Sequence, residues 1–140
     1  MPETFVVDCS VAAKWVLPEP GRAGALAWLE RYASGEVSLI APDLLLAEFA
    51  SLVGKRSRRK TMSAQQAHQA FALITKYAPR LFDMRPYLSR ALDLSLRHQL
   101  SLWDCVYLAV AADYDCLVLT ADARLFRGGQ GRHASLQLVQ

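Results

Sequence analysis

Short apolar runs alternate with helical stretches along this chain, and the alternation predicts an α/β fold built on a parallel sheet. Two of the runs, "FVV" at 5–7 and "CLVL" at 116–119, are apolar without a break. Unbroken runs suit strands covered on both faces, because a half-exposed strand alternates apolar with polar residues. Cap and turn residues separate the runs, as they must where the chain changes direction.

The elements follow in order. "TFVV" (4–7) is the first strand. Ser10 is expected to cap a short helix through Val16, which "LPEPG" stops. A helix from about Arg22 to Ala33 carries Leu26 and Leu29 and ends at Gly35. "VSLIA" (37–41) is the second strand, followed by a long helix from Leu44 to Arg58. Ser63 and Gln66 form a capping box for a helix reaching Tyr77. "RLFDM" (80–84) is a short strand, and helices cover Tyr87 to His98 and Leu102 to about Ala112. "CLVLT" and "LQLV" are the last strands. There is no repeat, low-complexity tract or long linker.

The 140 residues fit one domain, long enough to bury a core without disulfides or structural metal. An apolar fraction of 53% argues against disorder. No apolar run reaches the roughly 20 residues of a membrane helix. Glu3 and the lack of a basic leader speak against a secretory signal. A soluble, cytoplasmic protein without a membrane partner is expected. Cys9, Cys105 and Cys116 form no C-x-x-C pair and read as small buried residues in a reducing compartment. The net charge of +3 does not by itself imply nucleic acid.

Four carboxylates carry the functional argument. Asp8 follows the first strand and serves a turn or a site equally well. Glu48 has Leu44, Leu45 and Leu52 at helical spacing around it, so it interrupts an apolar stripe. A carboxylate there needs an arginine, hydrogen bonds or a cation, since uncompensated burial costs several kcal/mol, roughly. Asp104 stands three residues after Ser101, the spacing of a capping box. Asp122 follows Thr120, which is placed to cap the next helix. Each therefore has an ordinary structural explanation. Jointly, Asp8 and Asp122 lie past strand carboxyl ends, where parallel sheets bind ligands. Four converging carboxylates repel one another unless a cation relieves them. Oxygen ligands without a placed histidine suit magnesium, with manganese as a substitute, rather than zinc. Acidic clusters of this kind serve phosphodiester hydrolysis by metal-activated water.

The four segments "VVDCSVAAKWVLPEP", "APDLLLAEFASLV", "LSLWDCVYLAVAA" and "LVLTADARLF", in that order, resemble the PIN-domain family. Within it they resemble the VapC-type ribonuclease toxins of type II toxin–antitoxin pairs. The resemblance spans the chain and implies a single PIN domain over residues 1–140. It implies a five-stranded parallel sheet flanked by helices, an α/β/α sandwich, with an acidic pocket at the strand ends. It implies that Asp8, Glu48, Asp104 and Asp122 line that pocket as catalytic residues and metal ligands. Asp8 and Asp104 would be the main magnesium ligands, and Ser10 and Thr120 would support them by hydrogen bonds. Asp43, Asp113 and Asp115 fall outside the pattern and read as surface or capping residues.

"KRSRRK" supplies Lys55, Arg56, Arg58, Arg59 and Lys60. They suit a solvated helix C-terminus, or an RNA-backbone track leading toward the pocket. The resemblance further implies an RNA substrate, a homodimer and a cognate antitoxin that inserts a peptide beside the pocket. Trp15, Leu17 and Trp28 are groove candidates, with ordinary core packing as the alternative. A PIN-fold binding module with little nuclease activity is the rival function. A phosphatase of the haloacid-dehalogenase type wants D-x-D, but Ser10 holds the third position. A phosphoreceiver wants a lysine after a late strand, where "TAD" stands. A structure-specific DNA nuclease carries a helical arch for which this chain has no room.

Overall fold

The structure, a computed structural model, describes residues 2–130 and 136–140. Five strands form one all-parallel sheet: β1 (Glu3–Val7), β2 (Val37–Pro42), β3 (Arg80–Phe82), β4 (Leu117–Thr120) and β5 (Leu136–Leu138). Their order across the sheet is β3-β2-β1-β4-β5. The helices are α1 (Cys9–Val16), α2 (Arg22–Ala33), α3 (Leu44–Arg58), α4 (Ala64–Tyr77), α5 (Leu88–His98), α6 (Leu102–Asp113) and α7 (Ala123–Gln130). The α/β/α arrangement matches the expectation, and each predicted strand and helix is present within a few residues. The third strand ends at Phe82 rather than Met84, and a 3-10 turn at Arg85–Tyr87 precedes α5.

β1 is the central strand, with β2 on one side and β4 on the other. Phe5 stands level with Leu39 of β2 and Leu117 of β4. Val6 and Val7 are wholly buried, as the unbroken apolar run requires. α6 packs on β1, β2 and β4 with α5 against it. Every residue from Cys105 to Ala111 is buried, so α6 is apolar on all sides rather than along one stripe. α1 packs against α2, α3, α4 and β4, and α3 pairs closely with α4.

Gly35 ends α2 as expected. Its φ of +82° is the left-handed region that favours glycine. The N–H groups of Gly35 and Glu36 close on the carbonyls of Tyr32 and Arg31, the pairing of a Schellman motif. The Ser63–Gln66 capping box is formed in both directions, at 3.0 and 2.9 Å. Among the described residues no helix is long and apolar enough to cross a membrane. The three cysteines are free.

Candidate active site

The parallel register brings the carboxyl ends of β1 and β4 side by side, and Asp8 and Asp122 follow those ends. Asp8, not Ser10, caps α1. Its backbone is extended (φ −91°, ψ 172°) and its Oδ1 accepts the Val11 N–H at 3.2 Å. Helical geometry already begins at Cys9, so Ser10 lies inside the first turn and cannot act as its cap. Its hydroxyl instead donates to Asp8 Oδ1 at 2.6 Å and accepts the Ala121 N–H at 2.8 Å. Ser10 Oγ also lies 3.3 Å from Thr120 Oγ1. Ser10 and Thr120 thus support Asp8 while stitching β1 to β4.

Thr120 is wholly buried and accepts the Asp122 N–H at 3.1 Å. Asp122 itself takes the capping role expected of Thr120, because its Oδ1 accepts the Arg124 and Leu125 N–H groups opening α7. Asp104 stands in the first turn of α6, where Ser101 Oγ accepts its N–H at 3.1 Å. The Ser101 cap is as predicted.

Glu48 is half-buried on α3, and its partner is not an arginine. Tyr107 on α6 donates its hydroxyl to Glu48 Oε1 at 2.5 Å. Sequence reasoning missed Tyr107, which reads as one more aromatic in an apolar run. The available signal was its position, one turn after Asp104 on the same helix face.

These carboxylates feel one another. Burial pushes Asp8 up to about 6 from 3.8; bonds from Ser10, Thr120 and Val11 oppose the rise, and the Asp104 charge adds to it. Burial also raises Glu48, against the Tyr107 hydrogen bond and with the Asp104 charge. Asp104 is raised by burial, held down by Ser101, and raised again by Asp122. Asp104 is therefore the electrostatic hub joining all four. Among the described residues, none of the four takes part in a salt bridge.

An all-oxygen, negative, partly dehydrated donor set with no salt-bridge partner among the described residues fits a hard divalent cation. The side chains do not form a closed cage: among the described residues no three His, Cys, Asp or Glu are grouped to hold an ion alone. Such an opening suits an ion that keeps much of its water and takes one or two carboxylates, as magnesium does. The thiols beside the site are not nucleophiles at neutral pH. Burial and the carboxylates at Glu48 and Asp8 drive Cys9 far upward, and burial with Asp104 takes Cys105 to about 11.

The basic run divides. Lys55, Arg58, Arg59 and Lys60 are exposed, whereas Arg56 is ion-paired to Glu19, which Lys14 also approaches at 3.6 Å. That pair ties α3 to the loop after α1. Trp15 and Leu17 are core residues, each 3% exposed. Trp28 is partly buried, edge-on to Phe5 at 4.8 Å, with Arg31 over its face. Asp43 leaves α3 uncapped and accepts the Met84 N–H, and Asp113 accepts the Tyr87 hydroxyl. Both lie outside the acidic group, as expected.

A strand-end acidic group in this topology defines a class. The PIN domain family profile matches residues 5–129, and the chain belongs to that family, on its VapC-type branch. It is 32% identical over 136 residues to Ribonuclease VapC1 of Mycobacterium tuberculosis, covering 95% of this chain and 98% of that one. Two solved structures share the fold. The toxin VapC20 of Mycobacterium tuberculosis, which cleaves the sarcin–ricin loop, has a TM-score of 0.65 at 19% identity, covering 89% and 95% of the two chains. A toxin–antitoxin complex from Klebsiella pneumoniae has a TM-score of 0.63 at 14% identity, covering 94% of each.

Proposed function

We propose that this protein is a magnesium-dependent endoribonuclease, the toxin of a toxin–antitoxin pair. The observation that carries the proposal is the group of four carboxylates, each coupled to the rest through Asp104 and, among the described residues, in no salt bridge. The relatives' ribonuclease and toxin–antitoxin character supports it.

The chain's own residues prepare the reaction. Ser10 and Val11 hold the Asp8 carboxylate at the strand exit. Backbone N–H groups of Arg124 and Leu125 fix Asp122, and Tyr107 fixes Glu48. Asp8 and Asp104 would be the main ligands, with Asp122 and Glu48 completing the negative set. A divalent cation bound there supplies Lewis-acid polarisation of the scissile phosphate and an activated water. No covalent enzyme intermediate forms, because both neighbouring thiols stay protonated and the Ser10 hydroxyl is committed to Asp8. A cognate antitoxin and a homodimer complete the proposal.

The test is sequencing of RNA 5′ ends after brief expression of wild type, Asp8→Asn and Asp104→Asn, with purified protein assayed beside it in Mg2+, Mn2+ or EDTA. A discrete set of cuts with wild type, absent from both variants and from EDTA samples, is expected. Either variant cutting RNA as fast as wild type overturns the assignment. The absence of any group of three such ligands among the described residues leaves one rival, a PIN-fold binding module. That rival is upheld if wild type makes no cuts and Mn2+ leaves its Tm unchanged. The nuclease reading expects Mn2+ to raise the Tm of wild type but not of Asp8→Asn.

A further inference from the structure

Trp103 is 50% exposed, although the helix it opens is buried from Cys105 to Ala111. Its indole forms one wall of a cavity of about 510 Å3. Leu44 and Leu52 of α3 form an apolar floor, and Glu48 and Lys55 border the same space. Of the exposed large apolar side chains described, Trp103 alone borders this cavity. The next residue in the chain is Asp104, the hub of the acidic group. The cavity shares Glu48 with the candidate site and so lies beside it.

Glu48 and Lys55 lie seven residues apart, so they share a helix face about 10 Å apart along the axis. Lys55 is exposed and, among the described residues, in no salt bridge. Among the described residues it is the one cationic group lining the cavity. An aromatic face beside a cation is what single-stranded nucleic acid requires: the ring stacks a base and the charge holds the backbone. An apolar side chain from a protein would satisfy Leu44 and Leu52 but leave Lys55 unmatched.

We propose that Trp103 is a stacking platform positioning one base of single-stranded RNA beside the acidic site, with Lys55 on the adjoining phosphate. This rests on the nuclease reading and deepens it. Every base has a π-face, so the contact tolerates sequence. Choice of RNA target is then made elsewhere on the surface.

The test is fluorescence anisotropy of 5′-fluorescein-labelled oligouridylate and oligoadenylate, ten nucleotides each, with the whole protein in EDTA, so that binding is read without turnover. Trp103→Ala is expected to weaken both by roughly 5- to 100-fold. Trp103→Phe stays within about threefold, because a phenyl ring still stacks, while Trp103→Leu remains as weak as alanine. Lys55→Ala lowers the salt slope by about 0.7. Saturating RNA quenches tryptophan emission in wild type and not in Trp103→Phe. The exposed position keeps all variants folded, checked by thermal melts and size exclusion.

Wild type binding neither oligonucleotide overturns this inference, while the nuclease reading is overturned separately, by wild type making no cuts in Mg2+ or Mn2+. Wild type binding both, with Trp103→Ala equally tight, overturns the platform alone. The platform is also overturned if leucine restores affinity as well as phenylalanine. A shift of Trp103→Ala to a smaller oligomer, with unchanged affinity per chain, does the same by assigning the surface to a second copy.

Discussion

Helices α1 and α4 begin with the same device in opposite surroundings. Each has an extended N-cap residue whose side-chain oxygen accepts the N3 N–H: Asp8 from Val11, and Ser63 from Gln66. Ser63 is exposed, and Gln66 returns the bond, so the α4 cap answers only the local needs of a helix end. Asp8 is 6% exposed, is bonded also by Ser10, and faces the charge of Asp104. One cap serves stability. The other holds a charge that the fold resists. Local sequence chemistry chooses the motif, while burial and distant neighbours decide what it does.

The largest expected effect separates the two caps by charge. Asp8 holds its proton more tightly folded than unfolded, so folding takes up a proton between about pH 4 and 6. The contribution is favourable below that window and falls as pH rises through it, by roughly 3 kcal/mol in all. Asparagine caps as well as aspartate and carries no charge. In EDTA at pH 8, Asp8→Asn is therefore more stable than wild type while inactive, and the gap closes near pH 4. Urea unfolding across this range measures it, and a variant less stable than wild type at pH 8 breaks the comparison.

Tyr107→Phe tests the next level. It leaves a half-buried Glu48 without its donor, costing about 1–2 kcal/mol and lowering cleavage on the order of tenfold. Unchanged cleavage shows that Glu48 orientation is irrelevant to the reaction. Ser63→Ala is the smallest effect: about 1 kcal/mol of stability and no change in cleavage. Any loss of activity there gives the α4 cap a role beyond its helix.

The elements were legible because their signals are local. "FVV" and "CLVL" announce doubly covered strands, and Ser63–Gln66 and Gly35 announce helix ends. Glu48 was legible because a carboxylate amid Leu44, Leu45 and Leu52 conflicts with its own surroundings. What the sequence hid is tertiary. The order β3-β2-β1-β4-β5 depends on pairings with no local trace. Arg56 finds Glu19 across 37 positions, which a run with five basic residues in six conceals. Tyr107 passes as a core aromatic until α3 brings Glu48 to it. Ser10 carries the side chain of a good N-cap, yet the carboxylate two residues earlier is extended and takes that place.

The stitch between Ser10 and Ala121 joins positions 111 apart in the chain. It sets a timetable. During synthesis Asp8 emerges well before its neighbour strand β4, and Asp122 follows that strand. Contacts so distant in sequence form only after most of the chain is available. A partly made chain therefore carries its acidic residues unassembled. The same topology that gathers these carboxylates keeps them apart in the growing chain until β4 joins the sheet.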